Sequence, residues 1–95
     1  MIFIKSPNIN YLWSSLIVEE LLRCGADYFC VAPGSRSSAL AVAIAQNKRA
    51  KSFVHFDERA LGFHALGYAA ATGKPVVVVT TSGTAVANLL PAVIE

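Results

Sequence analysis

The sequence predicts a layered α/β/α domain built on a parallel sheet, and three observations predict it. Two uninterrupted apolar runs, Tyr28-Phe-Cys-Val-Ala32 and Pro75-Val-Val-Val-Val79, and a mixed run from Ser52 to Phe56 alternate with stretches whose apolar residues recur at helical spacing. That is the pattern of strands joined by helical crossovers. The two uninterrupted runs lack the in-and-out alternation of a half-exposed strand and suit strands covered on both faces. Each run leads into a cluster of small and polar residues: Pro33-Gly-Ser-Arg-Ser37, His55-Phe-Asp-Glu-Arg59 and Thr80-Thr-Ser-Gly-Thr84. Ligands of parallel sheets bind beyond the carboxyl ends of the strands, so the three clusters are expected to meet at one edge.

The elements follow in order. Asn8 or Asn10 can cap a first helix through Leu12, Trp13, Leu16, Ile17 and Leu21, with Gly25 as its stop. Trp13 is then expected in the core. After the first strand, Ser37 or Ser38 can cap a helix running through Ala39, Leu40, Val42, Ala43 and Ile44 to about Gln46. Lys48, Arg49 and Lys51 read as a solvated helix end and loop. Asp57 is placed to cap a helix from Glu58 to Ala71 that stops at Gly73. That helix carries Ala60, Gly62, Ala65, Gly67, Ala69, Ala70 and Ala71. Each internal glycine costs about 1 kcal/mol relative to alanine, which close approach of another backbone would explain; flat packing on its own sheet is the alternative. A last helix through Ala85, Val86, Leu89 and Leu90 should be kinked or shifted by Pro91.

Length and composition narrow the function classes. Ninety-five residues allow one domain with one modest core. Hydrophobic residues make up 55% and charged residues 15%, an apolar excess that suggests surface destined for a partner. With a net charge of +2 and scattered basic residues, no footprint for nucleic acid is present. No apolar run reaches the roughly 20 residues of a membrane span. Met1-Ile-Phe-Ile-Lys5 is too short for a signal peptide, so a cytoplasmic protein is expected. Cys24 and Cys30 lack metal-site spacing; Cys30 should pack as a small hydrophobe, and His64 as a packed or interface residue.

The clusters carry the chemistry. Arg36 offers a planar fork suited to a carboxylate or phosphate, beside the hydroxyls of Ser35 and Ser37; read blandly, the segment is a turn, a cap and an exposed arginine. Thr80 to Thr84 could hold an anion or a polar ligand at a helix start, with Gly83 admitting close backbone approach. It lacks the phosphate-loop lysine pattern, and plain hydroxyl capping is the alternative. Glu58 in a first helical turn is favoured by the helix dipole. Its place straight off a strand, at the head of a helix of small residues, points to an apolar, partner-covered setting in which a carboxyl group shares or donates a proton.

Pro33-Gly-Ser-Arg-Ser37, His55-Phe-Asp-Glu-Arg59 with Ala65-Leu-Gly-Tyr-Ala69, and Thr81-Ser-Gly-Thr-Ala-Val-Ala-Asn88 with Pro91-Ala-Val-Ile-Glu95 together resemble the amino-terminal pyrimidine-binding domain of thiamine-diphosphate enzymes. More narrowly they are similar to the menaquinone-pathway synthases of that superfamily. The likeness runs in order from about Tyr28 to Glu95, with a soft departure at Ser38-Ala39. It implies a homodimeric or homotetrameric enzyme that uses thiamine diphosphate with Mg²⁺ or Mn²⁺, decarboxylates 2-oxoglutarate and adds the succinyl unit to isochorismate. It implies that Glu58 hydrogen-bonds the cofactor's pyrimidine ring and promotes loss of the thiazolium proton. It also implies that Pro33, Thr81 and Asn88 line the pyrimidine pocket and that Ser35 and Arg36 face substrate. No metal ligand is expected in this chain, because the metal and diphosphate motif belongs to another domain. Residues 1–95 would then be one pyrimidine-binding domain, cut short at its carboxyl-terminal end and inactive alone. Two other readings stand beside this one: a related enzyme of acetohydroxyacid-synthase type, and a non-catalytic α/β interaction module.

Overall fold

The computed structural model describes residues 8–95; the short amino-terminal run Met1 to Lys5, considered above as a leader, lies outside the described residues. Helix α1 (Ile9–Arg23) leads to strand β1 (Tyr28–Val31), a 3₁₀ turn (Ser35–Ser37), helix α2 (Ser38–Gln46), strand β2 (Lys51–Val54), helix α3 (Glu58–Thr72), strand β3 (Val76–Val79) and the short helices α4 (Thr84–Ala87) and α5 (Leu90–Ile94). The strands form a parallel sheet in the order β2-β1-β3. Val31 is in register with both Val54 and Val79, so all three strands end together and release their clusters at one edge, as the pattern predicts.

β1 lies at the centre, and its alternation decides which helix covers which face. Phe29 and Val31 pack with Val18 of α1 and with Ala43 and Ile44 of α2. Cys30 and Ala32 pack with Leu61 and Ala65 of α3 on the opposite face. Phe29 and Leu61 are fully buried, each worth about 1.5–3 kcal/mol in removal from water. Burial pushes the Cys30 thiol up to about 11, which leaves it an inert core hydrophobe as expected. An aromatic group lies over the α3 face: Tyr28 stacks on Tyr68 at 3.8 Å, Phe53 stacks on His64 at 4.0 Å, and the Tyr28 hydroxyl is 2.8 Å from His64 Nε2. His64 is thus held by ring contacts on this face while remaining exposed.

Three expectations need correction. Trp13 is 60% exposed rather than in the core. α1 carries two apolar stripes, and the one that docks follows Tyr11, Ser14, Val18, Leu21 and Leu22; Ile9, Trp13, Leu16 and Ile17, also spaced for one helix face, are left exposed. Neither Ser37 nor Ser38 caps α2 through its side chain. Their hydroxyls donate backward, to Gly34 O at 3.1 Å and Ser35 O at 2.7 Å, into the 3₁₀ turn that precedes the helix. Finally, the second strand begins at Lys51 and ends at Val54, so His55 and Phe56 belong to the loop. Elsewhere Asn8 caps α1, Asp57 caps α3 by accepting from Ala60 N at 3.3 Å, and Gly73 closes α3 in the left-handed conformation.

The basic loop after α2 is more than solvated charge. Glu19, nearly buried on α1, accepts from Arg49 and Asn47 of that loop and from Arg23 one turn on. The Arg49 hydrogen bond above all holds the Glu19 carboxyl below its ordinary value, against the opposing effect of burial. A carboxyl group depressed in the folded state adds stability above its unfolded value and loses that contribution as pH falls through its folded value. Glu19→Gln should therefore lower stability at pH 7 and flatten its loss between about pH 6 and pH 3. Thermal melts across that range check this, and parallel curves for the two proteins would show the carboxylate to be idle.

Candidate functional site

The carboxyl edge of the sheet gathers the site from three segments. The first leaves β1 through Ala32, whose N–H donates to Val79 O at 2.9 Å and so prolongs the ladder toward β3. Gly34 follows in extended backbone at φ −175°, which any residue adopts; what demands glycine is space. A Cβ there would lie 2.3 Å from Cβ of Thr81, so the first and third clusters touch backbone to side chain. Arg36 seals the same contact, its guanidinium donating to Ser82 Oγ at 2.7 Å. Arg36 is exposed, and among the described residues four of its five N–H donors have no hydrogen-bond partner. Ser35 and Pro33 are exposed beside it, and among the described residues the Ser35 side chain has no hydrogen-bond partner.

The second segment turns from β2 into α3. His55 N donates to Val31 O at 3.2 Å, and His55 Nδ1 accepts from Asp57 N at 3.0 Å, so the loop is folded back onto the sheet before the helix begins. Glu58 is the first residue of α3 and is half-buried. Arg59 turns away, its guanidinium 5.3 Å from the Phe63 ring centroid. Phe56 beside the site is 86% exposed.

The third segment departs most from expectation. Pro91 does not kink one helix but divides it: α4 is a single turn, and α5 starts afresh with proline in its first turn, where the missing N–H is harmless. A single turn offers little dipole to an anion, so the reading of Thr80 to Thr84 as a helix-terminus anion site loses its basis. Gly83 is required by its positive φ of 75°, with nothing within 4 Å of a Cβ there; the close approach belongs to Gly34. Asn88, in the corner between α4 and α5, donates from Nδ2 to Glu58 Oε1 at 3.0 Å. Among the described residues Glu58 Oε2 accepts no hydrogen bond.

The structure therefore joins Gly34 and Arg36 to Thr81 and Ser82, and Glu58 to Asn88. Sequence reading missed the Ser82 and Asn88 contacts. One signal was available for the second: Glu58 and Gly62 are four apart on one helix face, and Gly62 is where Leu89 and Ala92 of the last corner press closest, 3.2 and 3.0 Å from a notional Cβ. Among the described residues no group of three His, Cys, Asp or Glu side chains could hold a metal ion, and no helix is long and apolar enough to cross a membrane.

A half-buried carboxylate with one oxygen held and, among the described residues, the other without a hydrogen-bond partner, an exposed guanidinium, and hydroxyls lie along the carboxyl edge of a parallel sheet, the arrangement of a candidate ligand half-site in an α/β domain. The chain belongs to the family of thiamine pyrophosphate enzymes, N-terminal TPP-binding domain, whose profile matches residues 13–95. It is 64% identical over 90 residues to a 2-succinyl-5-enolpyruvyl-6-hydroxy-3-cyclohexene-1-carboxylate synthase of Rubrobacter xylanophilus, covering 95% of this chain and 16% of the relative. It is 62% identical over 88 residues to the synthase of the same name from Psychromonas ingrahamii, covering 93% of this chain and 15% of the relative. With the synthase of that name from Pelodictyon phaeoclathratiforme the identity is 59% over 91 residues, 96% of this chain and 15% of the relative. The chain thus spans about one sixth of the length of these curated relatives.

Proposed function

We propose that this chain forms the pyrimidine-binding half of the active site of a 2-succinyl-5-enolpyruvyl-6-hydroxy-3-cyclohexene-1-carboxylate synthase, which decarboxylates 2-oxoglutarate and adds the succinyl unit to isochorismate in menaquinone biosynthesis. The observation that carries the reading is Glu58: first in its helix at the sheet edge, half-buried, with Oε1 tied to Asn88 and Oε2 without a hydrogen-bond partner among the described residues. Thiamine diphosphate fits this donor set, since a ring nitrogen of its pyrimidine presents a site that a shared proton can bridge to a carboxylate oxygen. When bound, the cofactor supplies stabilisation of the carbanion left by decarboxylation.

The chain's own residues then have distinct tasks. Glu58 holds or yields a proton at Oε2. Pro33 and Thr81 shape the wall beside the pyrimidine, with Asn88 at its rim. Arg36, steadied by Ser82, presents its remaining N–H groups to a substrate carboxylate, with Ser35 beside it. Mg²⁺ or Mn²⁺ and the diphosphate are held by another domain, supplied by a second subunit of a cytoplasmic homodimer or homotetramer. The exposed Phe56, next to Glu58 in the chain, is suited to being covered there. Residues 1–95 alone are then inactive.

The test is a substrate panel on the complete enzyme. It should consume 2-oxoglutarate with isochorismate and leave pyruvate untouched, and preference for pyruvate would assign it to the acetohydroxyacid-synthase type. Arg36→Ala should lower kcat/KM by about 10- to 100-fold, the worth of a hydrogen bond to a charged group, with cofactor affinity unchanged. Wild-type substrate kinetics in that variant would remove Arg36 from the site, and failure of the complete protein to bind thiamine diphosphate with Mg²⁺ in calorimetry would favour a non-catalytic module.

A further inference from the structure

Asn88 reaches Glu58 only because three features of the chain cooperate. Pro91 ends one helix and starts another, which makes the corner at Asn88 and Leu89. Gly62 lies one turn beyond Glu58 on the same side of α3, and its bare Cα lets that corner come in: a Cβ at Gly62 would stand 3.0 Å from Ala92 Cβ and 3.2 Å from Leu89 Cδ2. The backbone of Asn88 is itself pinned, its N–H donating to Thr84 O at 3.0 Å. A short side chain on a fixed backbone then meets the carboxylate at 3.0 Å. The amide nitrogen has protons to donate and the ionised carboxylate only accepts, so the contact orients Glu58 and does not merely brush it.

From this geometry we infer that Asn88 is a positioning residue for Glu58: it holds Oε1 as a charged acceptor, so that the proton Glu58 exchanges is confined to Oε2, on the side open to ligand. Gly62 is the device that sets the distance. The inference rests on the proposed role of Glu58 and changes that of Asn88, which acts on the cofactor through the carboxylate and not by direct contact. A carboxylate freed of this donor could rotate and present either oxygen, and a small misplacement of a catalytic group is costly.

The test uses the complete enzyme. Asn88→Ala should lower kcat and slow hydrogen–deuterium exchange at the cofactor's reactive carbon by about 10- to 100-fold, with KM for 2-oxoglutarate within about 2-fold of wild type. Asn88→Asp keeps size and shape but sets an acceptor against Oε1, and should lose at least as much, since like charges oppose each other there. In crystals of the cofactor-free Asn88→Ala protein the Glu58 carboxylate should occupy more than one conformer, where the wild type shows one. The Asn88→Ala, Glu58→Gln double variant should be no slower than Glu58→Gln alone. Wild-type exchange in both Asn88 variants, or losses that multiply in the double variant, would overturn the inference. An unimpaired Glu58→Gln enzyme would instead overturn the underlying reading of Glu58, whatever the Asn88 variants do.

Discussion

Replacing Glu58 with Gln in the complete enzyme is expected to slow hydrogen–deuterium exchange at the cofactor's thiazolium carbon, and turnover with it, by about 10²- to 10⁴-fold, the range for removal of a positioned acid or base. The substitution is nearly isosteric, and its amide oxygen can still accept from Asn88, whose donor lies 3.0 Å from Glu58 Oε1. The change falls on the other side of the group, where an oxygen able to take or share a proton becomes an amide nitrogen that can only donate. Binding and chemistry should therefore separate: thiamine diphosphate is retained to within a few kilocalories of its wild-type affinity, on the order of one hydrogen bond, while exchange collapses. Exchange within about 2-fold of wild type would show that some other group does the proton work. Loss of cofactor binding with normal exchange in the residual complex would make Glu58 an anchor only.

How far these roles could be read from the sequence follows from the range of the interactions involved. The strand runs, the Asp57 cap and the Gly73 stop depend on neighbours a few residues away, and the structure agrees with them to within a residue or two. The common edge for the three clusters also follows from local pattern, because parallel strands joined by helices must all point one way. Trp13 was misplaced because α1 has two apolar stripes and a sequence window does not say which one docks. Arg36 with Ser82 and Glu58 with Asn88 are 46 and 30 residues apart, and no local rule pairs them. Gly34 shows the limit best. Its backbone is extended, so conformation gives no hint of why it must be glycine, and the reason lies across the sheet at Thr81.

Gly34→Ala is accordingly expected to be among the most damaging one-methyl changes in the domain. The added Cβ would stand 2.3 Å from Thr81 Cβ, 2.9 Å from Cγ2 and 3.0 Å from Oγ1. Rotation of Thr81 about χ1 can move the last two atoms but leaves the first where it is, because a Cβ is fixed by its own backbone. Relief must come from the chain, and the Ala32 N–H to Val79 O bond at 2.9 Å ties the two strand ends together two residues away. Overpacking of this kind costs about 1–3 kcal/mol, and parting the strand ends also pulls Arg36 from Ser82. Denaturant unfolding and kcat/KM for 2-oxoglutarate should both fall. Thr81→Gly removes the opposing Cβ, so Gly34→Ala with Thr81→Gly should be more stable than the sum of the single changes predicts, a coupling that a double-mutant cycle reads directly. Additive losses would mean that the two segments do not press on one another, and that the glycine serves some purpose other than admitting Thr81.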